Sequence, residues 1–233
     1  MSRVHRGTKR VVRATPVGDP LRIVAIDGPA GAGKSTIARL LSERIGLMYL
    51  DTGAMYRALT VLAQDQGISL DDENQMVELL EASTIFVGKT NVTINDVDVT
   101  ERIRSQEVTA GVSRVASLPG VRSRLRELQR QWAERIGGGV VEGRDIATVV
   151  FPDACLKIFL TATSSERARR RVAQSGGNIA EVEAAIIERD SRDMARTDGP
   201  LKPADGAVLV DTTGRSIDEI VGTMAELYEA HCG

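Results

Sequence analysis

Long apolar runs are missing from this 233-residue chain. None approaches the ~20 residues that a membrane helix needs, so no helical span is expected. Cysteine is nearly absent: Cys155 sits in an apolar run and Cys232 beside the C-terminus. Neither has a partner at metal-ligand spacing, and one bridge to a frayed end would be a poor staple. The expected location is cytoplasmic. A surplus of one charge is also lacking, since 30 Lys and Arg against 32 Asp and Glu leave a net charge of -2. Such a balance gives no global pull towards nucleic acid or an anionic membrane. Nucleic acid is therefore not an expected partner, and a monomer is the simplest assembly. No internal repeat or long low-complexity linker divides the chain. With 42% hydrophobic and 27% charged residues, its composition suits one sizeable core, or one domain carrying an insertion.

The first twenty residues, "MSRVHRGTKRVVRATPVGDP", are basic, have no apolar period and contain Pro16 and Pro20. They lack the apolar stretch of a secretory signal and read as a solvated, mostly disordered tail without chemistry. From residue 22 the character changes. "RIVAID" is a short β-branched run suited to a buried parallel strand. "STIARLLSERIG" places Ile37, Leu40, Leu41 and Ile45 at helical spacing and closes on Gly46. "LMYLD" reads as a second strand, and "AMYRALTVLAQDQG" as a helix with Met55, Leu59 and Leu62 on one face.

Over residues 84–100 the apolar residues alternate, with Gly88 and the Asn95-Asp96 pair where turns belong. That pattern predicts a small antiparallel β insertion. Beyond it come a long helix "PGVRSRLRELQRQWAERI", a short strand at Val140-Val141, a strand in "ACLKIFLTAT" and two helices, "SSERARRRVAQ" and "AEVEAAIIERDSRDMAR". A last strand, "GAVLVDTT", and a last helix capped by Ser216 complete the chain. Strands alternating with helices predict an α/β domain with a parallel sheet covered on both faces.

Gly28, Gly33, Lys34 and Ser35 satisfy Gly-x-x-x-x-Gly-Lys-[Ser/Thr], between a strand and a helix. Glycines let consecutive backbone N–H groups turn inwards as an anion nest, and the following helix adds its positive end. Gly28, Pro29, Ala30, Gly31, Ala32, Gly33, Lys34, Ser35 and Thr36 are thus the candidate ATP-binding loop. Lys34 is to reach the β- and γ-phosphates and Ser35 to coordinate Mg²⁺. A regulatory guanine-nucleotide switch would need an Asn/Thr-Lys-x-Asp reader after a strand; "TNVTIND" lacks the lysine.

Three further stretches bear on the acceptor. "LDTGAMYR" brings Asp51 and Thr52 to a strand end and Tyr56 and Arg57 one turn into a helix, with Thr52 available as an N-cap. "EGRD" brings Glu142, Arg144 and Asp145 to the same sheet edge, where ligands bind α/β folds. In "IERDSRDMAR", Arg189, Asp193 and Arg196 are spaced i, i+4, i+7 on one helical face. The glycine- and proline-rich "TDGPLKPADG" after it suits the hinge of a flap that excludes water.

Taken together, "IVAIDGPAGAGKS", "LDTGAMYRALT", "IRSQEVT", "VASLPGVRSRLRELQR", "GRDIATVVFPDA", "KIFLTAT" with "ERARRR", and "ERDSRDMAR" resemble the bacterial type of cytidylate kinase, a nucleoside monophosphate kinase of the P-loop group. The resemblance covers residues 22 to 229. It implies a three-layer P-loop kinase fold with a parallel central sheet, a β insertion in a monophosphate-binding region (52–120) and a mobile lid within a helical region (164–200). It implies ATP-dependent phosphorylation of CMP and dCMP in the cytoplasm. Thr52, Tyr56 and Arg57 would line the monophosphate site, with Arg57 and Arg122 on its phosphate. Arg144 and Asp145 would hold the nucleoside, Asp145 through the sugar hydroxyls. Arg189 and Asp193 would complete the substrate site, with Arg196 over the transferring phosphate. Lys34, Arg189 and Arg196 would be the catalytic charges. The family often has aspartate where this chain has Glu142.

Overall fold

The computed structural model describes residues 21–233; the basic stretch 1–20 lies outside the described residues. β1 (Arg22–Asp27) leads through the glycine loop into α1 (Lys34–Ile45), β2 (Tyr49–Asp51) and α2 (Thr52–Asp65). α3 (Glu73–Glu81) precedes β3 (Ile85–Val87), β4 (Val92–Ile94) and β5 (Val97–Asp98). A 3₁₀ turn at Arg102–Arg104 leads to α4 (Gln106–Val115) and α5 (Pro119–Ile136). β6 (Gly138–Gly143), a π-helical turn at Ile146–Val150, β7 (Leu156–Thr161) and α6 (Ser164–Ser175) follow. α7 (Ile179–Met194), β8 (Val208–Asp211) and α8 (Ile217–Cys232) end the chain.

The five longer-range strands form one sheet in the order β2-β6-β1-β7-β8, every pair parallel. β1, at the centre, is buried from Ile23 to Asp27. Its alternate side chains feed two cores, as a strand's period of two requires. Val24 and Ile26 join α1 and α8 through Leu41, Met224 and Tyr228 on one face. Ile23 and Ala25 join α2, α3 and α5 through Leu59, Leu80 and Leu125 on the other. Full burial of each such side chain stabilises the fold by roughly 1.5–3 kcal/mol. This three-layer parallel α/β architecture is the predicted fold class.

The β insertion also forms as read. β3, β4 and β5 pair antiparallel, and Asn95 and Asp96 take left-handed backbone in the β4–β5 turn (φ 50° and 63°), the two-residue geometry that matches strand twist. Val92, Ile94 and Val99 pack on Ala54, Ala58 and Val61 of α2. Consequently α2 is not the one-faced helix expected from Met55, Leu59 and Leu62. Leu62 is only half-buried while Ala54, Ala58 and Val61 are buried, because this helix lies between the main core and the insertion.

Other details differ from expectation. α1 begins at Lys34, with Gly33 as its N-cap. Asp51, not Thr52, caps α2, its carboxylate accepting from Ala54 N–H. β6 runs from Gly138, since glycines there let it press against β1; a Cβ at Gly138 would lie 2.4 Å from the Arg22 carbonyl. The pattern gave no sign of α3 or α4. Cys155 and Cys232 are disulfide-bonded with Cα atoms 5.5 Å apart. The expected fraying does not occur: α8 stays helical to Cys232, so the bridge joins two ordered elements.

Candidate active site

β1, β2 and β6 end side by side, with Asp51 in register with Glu142 and Asp27 with Gly143. The glycine loop, the Thr52 helix start and the Arg144-Asp145 loop therefore share one edge of the sheet. Gly28 is required by close approach: a Cβ there would fall 2.1 Å from the Leu160 carbonyl oxygen. Lys34 is buried and donates from Nζ to the Pro29 carbonyl at 2.9 Å. Its burial, and then the Arg144 guanidinium, push its pKa down to about 7. A lysine so placed is short of a counter-charge, which a polyphosphate would supply.

The Ser35 hydroxyl donates to Glu142 Oε1 at 2.5 Å, and the Tyr49 hydroxyl reaches the same oxygen at 3.3 Å. Burial, followed by Asp51, raises the pKa of the Glu142 carboxyl. A hydroxyl beside a carboxylate at the foot of a phosphate loop is an oxygen donor set suited to Mg²⁺, which takes one or two protein oxygens and fills its shell with phosphate and water. Glu142 thus faces the phosphate loop, and Thr52 Oγ1 donates to its main-chain carbonyl at 2.7 Å.

The predicted arginines converge. Arg144 Nε donates to Asp193 Oδ2 at 2.9 Å, and Arg196 Nη2 to Asp193 Oδ1 at 2.5 Å. Arg196 lies past the end of α7 at Met194, so the expected single helical face does not hold. It still reaches Asp193, three residues before it, because Ala195 keeps right-handed helical backbone at the end of the helix. Burial works to raise the Asp193 carboxyl, but Arg144, Arg196 and Arg189 outweigh it and hold it below the ordinary value. Burial, Arg144 and Arg57 push Arg189 down, and its Nε is buried without a hydrogen-bond partner. Such a guanidinium has a place for an anion. Arg57 makes no ion pair among the described residues. Burial raises Tyr56 to about 12, beside Arg122 and Asp145. Arg122 Nη2 donates to Asp145 Oδ2 at 2.7 Å, next to a cavity of about 240 Å³ lined by Ser117, Pro119, Arg122, Arg196, Thr197 and Asp198.

Several site residues escaped the sequence reading. Asp27 is buried, and its two carboxylate oxygens accept from Ile146 N–H and Ala147 N–H, each at 2.8 Å. It fixes the loop that carries Arg144 and Asp145. Burial raises it to about 6 even though both bonds oppose the shift. Arg167 and Asp190, also buried, hold the backbone of Ala30: Arg167 Nη1 donates to its carbonyl at 3.0 Å and Asp190 Oδ1 accepts its N–H at 3.3 Å. The signal available was a charged residue inside an apolar run for Asp27; for Arg167 and Asp190, set among other charges, there was none.

Comparison with known proteins accords with this geometry. A cytidylate kinase family profile matches residues 24–230. The cytidylate kinase of Carboxydothermus hydrogenoformans is 47% identical over 214 residues, covering 88% of this chain and 96% of that protein. The bifunctional pantoate ligase/cytidylate kinase of a Nostoc species is 45% identical over 236 residues, covering 96% of this chain. The present chain spans only 44% of that bifunctional relative. Among solved structures, an uncharacterized protein from Eubacterium ventriosum shares the fold, with a TM-score of 0.53, 12% identity and coverage of 89% of this chain and 98% of the other. No helix among the described residues is long and apolar enough to cross a membrane. A matching profile over nearly the whole described chain, together with 47% identity to a cytidylate kinase covered almost end to end, means that this chain belongs to the cytidylate kinase family.

Proposed function

We infer that this protein transfers the γ-phosphoryl group of ATP to CMP, giving ADP and CDP, and that dCMP is accepted in the same way. The observation that carries the reading is a phosphate loop facing a second anion site built from Arg57, Arg144, Arg189 and Arg196. Two anionic ligands meeting head-on are what transfer between nucleotides requires. The acceptor is already a phosphate oxygen anion, so no general base is needed. Catalysis is then positioning and charge neutralisation during in-line transfer.

Gly28 to Thr36 cradle the donor phosphates, with Lys34 on the β- and γ-groups. Ser35, supported by Glu142, would hold Mg²⁺, which supplies charge neutralisation at the donor oxygens. Arg57 orients the acceptor phosphate, and Thr52 and Tyr56 line the wall beside it. Arg122 shares the acceptor phosphate with Arg57, Arg144 and Asp145 hold the nucleoside, and Asp193 completes the substrate site with Arg189, as the resemblance implies. Arg189 and Arg196, carried by α7 and the turn after it, bring planar donor forks to the group in flight. The stretch that bears them, within 164–200, acts as the lid.

The test is ADP release from ATP and Mg²⁺ with CMP, dCMP, UMP, AMP, GMP and dTMP offered separately. Fast turnover with CMP and dCMP, with UMP well behind, is the expected result. Acceptor-independent hydrolysis, or a preference for AMP or dTMP, would overturn the reading.

A further inference from the structure

Four charged side chains close a ring at the acceptor end of the site, and two of them, Arg126 and Asp198, have no role assigned from the sequence. Arg122 Nη2 donates to Asp145 Oδ2 at 2.7 Å, and Arg126 Nη2 reaches the same oxygen at 3.2 Å. Arg126 Nη2 also donates to Asp198 Oδ1 at 2.7 Å, while Asp198 Oδ2 accepts from Arg122 Nε at 3.1 Å. The ring joins α5, the loop after β6 and the segment after α7. Its arginine side chains are only 3% and 13% exposed, so screening by solvent is weak and the members act together.

The backbone beside Asp198 is fitted to the same ring. Gly199 has a left-handed φ of 61°, and a Cβ there would lie 2.3 Å from both Arg122 Nη2 and Asp145 Oδ2. The chain at this point rests directly on the ion pair. Thr197 and Asp198 form one side of the adjoining cavity, and Arg196 is two residues upstream of Asp198.

We propose that Asp198 and Arg126 are positioning residues for the acceptor nucleotide, holding Arg122 and Asp145 in the orientation that receives its phosphate and sugar. Each arginine bonds both carboxylates, and Arg122 Nη1 also donates to the Ala116 carbonyl at 3.2 Å, so Arg122 is held in one orientation in the cavity wall. Without Asp198, both arginines must share Asp145. Arg126, which already reaches the Asp145 oxygen that Arg122 uses, loses its other acceptor and bears on that oxygen alone, and Arg122 Nε is left buried without an acceptor. The proposal deepens the acceptor reading given above and rests on it.

The experiment is steady-state kinetics with CMP and ATP varied separately, on wild type, Asp198→Leu and the double variant Asp198→Leu/Arg126→Leu. Asp198→Leu should raise the KM for CMP by about tenfold, the weight of one misplaced charged contact, and leave the KM for ATP within about twofold. The double variant restores one carboxylate to one arginine and should bring the KM for CMP back to within about threefold of wild type. A structural role alone would add the two losses. Should Asp198→Leu fail to fold by circular dichroism, Asp198→Asn, which keeps the volume and removes the charge, takes its place with the same expected split. An unchanged KM for CMP in an otherwise active enzyme overturns the ring's role. So does an equal rise for ATP, or a double variant worse than the single. A wild type inert towards CMP would bring down the functional reading itself.

Discussion

At the scale of single residues, Lys34 carries the sharpest consequence. Its folded-state pKa of about 7 lies far below the usual 10.5 because burial and Arg144 disfavour the ammonium. The sign follows for stability: the cost of the buried ammonium is present below pH 7 and relieved as pH rises from about 7 towards 10.5. For binding the direction reverses, since a polyphosphate beside Lys34 favours the charged form. With Lys34 pushed down towards neutral pH in the free protein, MgATP binding above that pH should be accompanied by net proton uptake. Titration calorimetry in two buffers of different ionisation enthalpy measures it. Lys34→Met should abolish the uptake and lower turnover at least ~10²-fold. Identical proton uptake in wild type and variant would mean that another group receives the charge.

At the scale of elements, α6 and α7 hold the phosphate loop from outside. Arg167 and Asp190 pair within the hairpin of these helices with side chains 8% and 6% exposed, and between them they occupy both polar atoms of the Ala30 peptide. Arg167→Met strands Asp190 as a buried charge and should cost about 3–5 kcal/mol in urea unfolding. Adding Asp190→Leu should restore most of that stability, because an apolar pair of similar volume tolerates burial. The KM for ATP should nevertheless stay raised in the double variant, as Ala30 has lost both anchors. A double variant with the wild-type KM for ATP would make the pair a matter of stability alone.

Elements also differ in how far the chain announces them. β1, α1, α5 and α8 could be read because apolar period, caps and glycine stops agree: Gly46 and Ser216 end and begin helices where the period does. α4 could not, since "QEVTAGVSRV" is rich in β-branched residues and glycine, which weaken helix propensity. It is helical because Val108 and Val112 are buried and Ser105 caps it. Gly111 belongs to that packing, with a Cβ there falling 2.7 Å from Leu70. α3, capped by Asp72 with Met76, Leu79 and Leu80 buried, is short enough for its period to pass unnoticed. In the site, the phosphate loop was legible because its chemistry is local. Asp27 was not, because its partners lie 119 and 120 residues away. Asp198 was read only as part of a hinge, and its role depends on where α5 passes.

At the scale of the whole molecule, the disulfide sets the boundary between what is held by packing and what is held by covalent bonds. Cys155 and Cys232 are 77 residues apart in sequence. Closing a loop of that length removes unfolded-state freedom worth about 4 kcal/mol on the chain-entropy account. Reduction, or Cys232→Ser, should therefore lower the urea midpoint by that measure divided by the m-value. The phosphate loop and the acceptor arginines do not touch the bridge, so CMP turnover at 25 °C should stay close to wild type. A midpoint unmoved by reductant would show that α8 is anchored by Met224 and Tyr228 in the core without help from sulfur.

That bridge also gives the chain an unusual topology. Residues 155–232 form a closed covalent ring that contains β7, α6, α7, β8 and α8. The elements from β1 to β6, which include the phosphate loop, hang from it as an open chain. The proposed lid, within 164–200, is thus a segment of a loop with both ends tied. A protease that cuts the glycine- and proline-rich stretch 197–206 opens that loop without releasing a piece, and the two halves travel as one molecule until a thiol separates them.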